Sequence, residues 1–277
     1  MGRRHGERGA KIKQDRSSMM LGLMQGRLLP PVDGHIQEFP NQWQDEFDIL
    51  SECGLCCVEW LITTNSLTFN PAVKSPSMLA GLPISSVCVD TLVDERINDP
   101  KYLYSNLVSL CSLITRHHFT KVITIPLLED SSMQDQTKRM AFIKNIADIA
   151  DMFPNINFSF EAELGIKELE EIVSLRDNFL VTYDTGNITS FGLDHAEYIR
   201  AFSNKINNVH LKDRTFGAKT VEPGHGDTDF KKIFDTLKDI NYSGPFILQT
   251  ARSASGKEKE TILRHIQYFG GLYEGDI

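Results

Sequence analysis

The sequence predicts an α/β fold in which eight strand–helix units close into one parallel (β/α)8 barrel. Two observations carry that expectation. From Met20 onward, short apolar and β-branched runs alternate with stretches of helical period to the end of the chain. The runs also look too apolar to alternate in and out, as expected of strands buried on both faces of a parallel sheet. Eight such units suit closure into a barrel, and 277 residues fit one domain of that kind, for which roughly 250 is typical.

The elements follow in order. Residues 1–19 are rich in Arg, Lys and Gly, lack an apolar period, and are expected to form a disordered extension, with a transit peptide as the alternative and Met19 or Met20 as candidate initiators. Residues 20–277 are expected to form the barrel. L-G-L-M-Q-G-R-L is a first strand running into a glycine turn, and Trp43, Phe47 and Leu50 mark a helix that stops at Gly54. L-C-C-V-E-W-L-I is the second strand and I-S-S-V-C-V-D the third, followed by a helix on Leu103, Leu107, Leu110 and Ile114. K-V-I-T-I-P-L is the fourth, followed by a helix on Met140, Ile143, Ile146 and Ile149. The fifth to eighth strands end near Glu161, Asp184, His210 and Gln249, and the last helix carries Ile262, Leu263, Ile266 and Phe269.

Composition narrows the function. A net charge of −8 argues against a general nucleic-acid binder, which normally presents a basic face. No apolar run approaches the roughly 20 residues needed to cross a bilayer, so no membrane partner is expected. Five cysteines, an odd number scattered through apolar stretches, read as reduced thiols of a cytoplasmic protein. The C-x-x-C-C cluster of Cys53, Cys56 and Cys57 lacks a second pair of soft ligands at finger spacing and reads as buried strand residues.

The chemistry gathers at strand ends. N-F-S-F-E-A-E-L, F-L-V-T-Y-D-T-G-N, N-N-V-H-L-K-D-R and P-F-I-L-Q-T-A-R each deliver one donor near the C-terminal end of an apolar run: Glu161, Asp184, His210 and Gln249. In a parallel barrel those ends converge on one mouth. Two carboxylates, an imidazole and an amide oxygen suit one divalent ion, Mn²⁺, Mg²⁺, Co²⁺ or Zn²⁺, and suit soft metals poorly. Singly, each has a plainer reading, with Glu163 as the alternative inward group and His210 as a hydrogen-bonded core histidine.

The segments M-Q-G-R-L, V-E-W, V-C-V-D, F-E-A-E-L, Y-D-T-G-N, V-H-L-K-D-R, G-H-G-D-T-D-F and I-L-Q-T-A-R together resemble the xylose isomerase-like TIM barrel superfamily of sugar-phosphate isomerases and epimerases, a relative of the endonuclease IV-like fold. The resemblance covers roughly residues 20 to 270 and implies a metal held by Glu, Asp, His and Glu from the last four strands. Those positions fall on Glu161, Asp184, His210 and Gln249, and the last departs from the pattern. A glutamine offers its carbonyl oxygen to a metal but cannot accept a proton as a carboxylate does. The family's epimerases use two glutamates on opposite faces of the substrate, so that two-base scheme does not transfer directly.

By the same resemblance Glu161 is the expected base, held at low pKa by the metal, with Glu163, His225, Asp90 and Glu59 as alternatives for the proton shuttle. Lys212, Arg214 and Arg252 are candidates to hold a substrate phosphate or carboxylate, or are simply rim charges. Gln25, Arg27, Glu59, Asp90 and Asn187 complete the expected substrate-binding set, and Trp60 either stacks on a sugar or fills the core. The leading expectation is a divalent-metal-dependent isomerase or epimerase acting on a sugar or sugar phosphate through an enediolate. A keto-polyol (inosose-type) dehydratase and a non-catalytic sugar-binding barrel are the alternatives. An abasic-site endonuclease would need a multi-zinc cluster, and His5, His117, His118 and His265 lie outside the expected strand ends. Whether the protein is a homo-oligomer is left open.

Overall fold

In the computed structural model, which describes residues 19–252 and 256–275, eight parallel strands close into a barrel. They are β1 (Leu21–Met24), β2 (Cys57–Leu61), β3 (Ile84–Cys88), β4 (Val122–Leu127), β5 (Asn157–Ala162), β6 (Phe179–Asp184), β7 (Ile206–Leu211) and β8 (Phe246–Leu248). Each pairs with its sequence neighbour, and β8 closes the ring against β1. A two-stranded hairpin, Asp213–Arg214 with Thr220–Val221, stands outside the barrel directly after β7. Of the extension expected over residues 1–19, residues 1–18 lie outside the described residues, whereas Met19 packs against the core.

The helices are α1 (Trp43–Glu52), α2 (Pro71–Lys74), α3 (Pro100–His117), α4 (Gln136–Met152), α5 (Ile166–Val173), α6 (Thr185–Ser190), α7 (His195–Ala201), α8 (Phe230–Asp239) and α9 (Glu258–Glu274). Aspartate caps set several starts: Asp99 accepts from Lys101 N beside Pro100, Asp135 from Lys138 N, and Asp229 from Lys232 N. The helix after β2 is only four residues long, and two short helices follow β6. The expected helical stripes are buried apart from the half-buried Phe47 and Ile266 and two exposed positions. Met140 and Leu263 are 53% and 42% exposed, because the true stripes run through Phe142 on α4 and His265 on α9.

The strands alternate after all, contrary to the expectation from composition. On β5, Phe160 packs edge-on against Phe142 of α4, and Phe158 against Phe179. Between them Ser159 shares a hydrogen bond with Thr182 at 2.6 Å, and Glu161 meets His210. The barrel interior is therefore lined with polar groups near its mouth while the outward faces sit under helices. Both sets are buried, so hydropathy alone reads the strands as uniformly internal.

Trp60 is core: it is fully buried against Phe39, Trp43 and Phe47, and its indole N–H donates to Asn70. All five cysteines are free thiols. Cys53 caps α1 and Cys57 lies in β2, but Cys56 is exposed, which corrects the buried reading for that residue.

Candidate metal centre at the barrel mouth

β5, β6, β7 and β8 are consecutive in the ring, so their C-terminal ends stand side by side. Asp184 is in register with His210, and His210 with Ile247. Gln249 comes two residues after Ile247 and thus falls on the same inward side, one step nearer the mouth. One ligand atom each from Glu161, Asp184 and His210 lies within 4.8 Å of the others. His210 Nδ1 is 3.4 Å from Glu161 Oε2 and 3.9 Å from Asp184 Oδ2.

Each donor is aimed by its own neighbours. Asp184 caps α6, its Oδ1 accepting from Asn187 N at 2.8 Å, which leaves Oδ2 turned toward Lys212 Nζ at 2.9 Å. His210 Nε2 lies 2.5 Å from Glu59 Oε2, and Asn208 Nδ2 donates to the same oxygen at 3.1 Å. Thr124 donates to the other Glu59 oxygen at 2.5 Å. An acceptor-only carboxylate on Nε2 places that ring proton there and turns Nδ1 toward Glu161 and Asp184, the arrangement by which a carboxylate behind a histidine orients it for a metal.

Two buried atoms here, His210 Nδ1 and Gln249 Oε1, have no hydrogen-bond partner among the described residues, and Asp184 Oδ2 is engaged by the Lys212 ammonium. Stranding such atoms costs about 1–3 kcal/mol each, more for charged groups. The carboxylates of Glu161 and Asp184, the His210 imidazole nitrogen and the Gln249 amide oxygen are a donor set whose chemistry fits a hard or borderline divalent cation.

Charge in the cluster is strongly coupled. Burial pushes the His210 pKa down, but Glu59 and Glu161 outweigh it and hold it at about 10. Burial acts against the ionised form of Asp184 too, yet Lys212 and His210 keep it below the usual aspartate range. For Glu161 burial prevails over His210, so its carboxyl lies above the usual range.

The remaining sequence candidates divide into two groups. Arg214 donates to Asn187 Oδ1 at 3.0 Å and sits 3.9 Å from the half-buried Glu163, while Asn187 Nδ2 reaches Glu161 at 3.4 Å. Lys212, Asn187, Arg214 and Glu163 are thereby linked to the cluster. Gly186 makes this possible, since a Cβ there would meet Arg214 Cγ at 2.9 Å.

The others serve different purposes. Glu59 is fully buried behind His210, because β2 points it into the barrel interior. Arg252 donates to Gly26 O, Leu29 O and Ile36 O at 2.7, 3.0 and 2.7 Å, and so latches the β1–α1 loop. Arg27, 6% exposed, donates to Ile36 O in the same loop. Gln25 accepts from Leu61 N and keeps a buried Nε2 without a partner among the described residues. His225 is exposed on the loop that Asp213 gathers through Gly224 N, Gly226 N and Thr228 N.

Gln37, Asn208 and Thr124 escaped the sequence reading. Gln37 donates to Asp90 Oδ1 at 2.8 Å and accepts from Gln249 Nε2 at 3.1 Å. It lies in an aperiodic loop that gives no sequence signal. Asn208 and Thr124 do carry one, as polar residues inside apolar strand runs.

Fold and site together describe a (β/α)8 barrel with a carboxylate–imidazole cluster at the C-terminal mouth. A family profile described as "Xylose isomerase-like TIM barrel" matches residues 120–269, more than half the chain, and the protein belongs to that family. An inosose dehydratase of Clostridium tetani is 28% identical over 148 residues, covering 45% of this chain and 49% of the relative. The chain thus spans about half the length of that curated relative. An L-ribulose-5-phosphate 3-epimerase, UlaE, of Salmonella paratyphi A is 37% identical over 67 residues, 24% of each chain. The solved structure of an IolI protein with a bound zinc atom superposes with a TM-score of 0.70 at 15% identity, over 92% of this chain and 99% of that one, a likeness of fold. No described helix is long and apolar enough to cross a membrane.

Proposed function

We propose that this chain is a divalent-metal-dependent isomerase or epimerase that removes and returns a proton beside the carbonyl of a sugar or sugar phosphate. The observation that carries the reading is the gathering of Glu161, Asp184 and His210 with one ligand atom each within 4.8 Å of the others, His210 Nδ1 among them lacking a hydrogen-bond partner among the described residues. A divalent cation held by these three residues and Gln249 supplies Lewis-acid stabilisation of negative charge on a substrate oxygen. Glu161 is the base. Lys212, Asn187 and Arg214 face the same mouth and hold an anionic or hydroxylated end of the substrate, with Glu163 at the rim as the alternative proton carrier. Gln249 cannot take a proton, so transfer is confined to one face of the substrate, which favours aldose–ketose interconversion over two-base epimerisation.

Dehydration of a keto-polyol is the second reading, favoured by the similarity to inosose dehydratase. There Glu161 would remove the proton beside the carbonyl and pass it to the β-hydroxyl, which departs as water as its C–O bond breaks, with no base required on the second face.

A panel of ketoses, ketose phosphates and cyclic keto-polyols, each tested with Mn²⁺, Mg²⁺, Co²⁺ and Zn²⁺ in D₂O, separates these readings. Solvent deuterium entering a ketose supports the isomerase, and an absorbing dicarbonyl product the dehydratase. Neither signal, with a sugar still protecting against heat, points to a non-catalytic sugar-binding barrel. The parent is expected to bind about one ion per chain and Asp184→Ala none; equal metal content in the two proteins rejects the site.

A further inference from the structure

Gln249 has an amide where a carboxylate would have no wrong end. Its oxygen can ligate a cation and its NH₂ cannot, so the side chain is useful to a metal in only one of two flips of nearly identical shape. What selects the flip lies across the mouth. Asp90, just past β3, accepts from Gln37 Nε2 at 2.8 Å, and Gln37 Oε1 accepts from Gln249 Nε2 at 3.1 Å. Gln249 Oε1 is then buried with no partner among the described residues.

The polarity of this chain has one source. An ionised carboxylate only accepts, so Asp90 requires the NH₂ end of Gln37; Gln37 must then offer its oxygen to Gln249; and Gln249 must spend its NH₂ there. Reversing either amide would set oxygen against oxygen. We propose that Asp90 and Gln37 are positioning residues which, through this relay, hold the Gln249 amide with its oxygen turned to the cation. The proposal rests on the metal reading given above. It also accounts for a loop residue bonded at once to the ends of two strands, β3 and β8, on different sides of the mouth. Burial raises the Asp90 pKa to about 6, against the pull of the Gln37 hydrogen bond, which still leaves the carboxylate ionised at pH 7.5.

The relay predicts a reversal of sign that a plain electrostatic role for Asp90 does not. Asp90→Asn in the parent allows both flips of Gln37, and divalent-ion affinity should fall by roughly two- to fivefold through lost preorganisation. Gln249→Glu adds a charge, but Asp90 then forces Gln37 Oε1 against the new carboxylate. Adding Asp90→Asn to Gln249→Glu releases Gln37 to turn its NH₂ to that carboxylate, and affinity should rise by about tenfold over the single variant. Gln37→Met removes the relay, and in that background Asp90→Asn should act alike whether position 249 carries the amide or the carboxylate.

Calorimetric titration of Mn²⁺ and Co²⁺ into these proteins at pH 7.5, with melting curves to verify folding, reads every arm. Reversal in the native background together with its loss in the Gln37→Met background supports the relay. A fall on Asp90→Asn both in the parent and in the Gln249→Glu variant overturns it and leaves the metal site standing. A parent that binds neither ion overturns the metal reading, and the relay with it.

Discussion

Glu59 and His210 are both fully buried and 2.5 Å apart, so exchanging Glu59 for glutamine tests how the centre is held before any substrate is present. In Glu59→Gln an amide oxygen can still accept from His210 and Asn208, and the amide nitrogen can donate to Thr124, so shape and hydrogen bonds are largely kept. Only the charge goes. Breaking a buried pair by removing one partner costs about 3–5 kcal/mol, and the retained bonds place this change near the lower end, about 3 kcal/mol at pH 7. The His210 pKa bears on the same figure. It is raised from 6.5 to about 10, so its stabilising effect is complete below pH 6.5 and lost as pH climbs through 10. Three pH units separate 7 from 10, worth at most about 4 kcal/mol. Urea unfolding with a chelator present should show parent and variant about 3 kcal/mol apart at pH 7 and converging towards pH 10. Metal titration should show affinity about tenfold weaker, because the carboxylate behind the imidazole is gone. A stability gap that stays constant from pH 7 to pH 10 would show that the pair is not what stabilises the parent.

Two further changes test the loop that carries Gln37. Arg252→Met keeps the side-chain stem but strips donors from Gly26 O, Leu29 O and Ile36 O, so unfolding free energy should drop by about 2–3 kcal/mol. Limited proteolysis should then cut within residues 26–42, and an unchanged cleavage pattern would dismiss the latch. Glu46 of α1 accepts from Gly26 N and Leu28 N, and burial lifts its pKa from 4.5 to about 7. The folded state then keeps a proton that the unfolded chain has shed, so stability declines by about 3 kcal/mol between pH 4.5 and 7. Glu46→Gln should flatten that part of the profile in urea unfolding, and a persistent slope would assign it to other groups.

Local chemistry made the barrel and its four donors legible. An apolar run ending in one polar residue must place that residue at a strand end, and parallel strands send all such ends to one mouth, so Glu161, Asp184, His210 and Gln249 could be named from pattern alone. Helical period likewise marked α3 and α4 from residues a turn apart. Where the residues that matter are far apart in sequence, the pattern was silent. Glu59 and His210 are 151 positions apart, and Gln249 and Gln37 are 212. Nothing in a local window says that Glu59 stands behind an imidazole, or that Arg252, which reads as a rim cation, spends its guanidinium on three backbone carbonyls. Those assignments depend on ring closure, which brings β8 against β1 and lays the β1–α1 loop across the mouth. Strand period decides which way a residue points; only the closed barrel decides what it meets there.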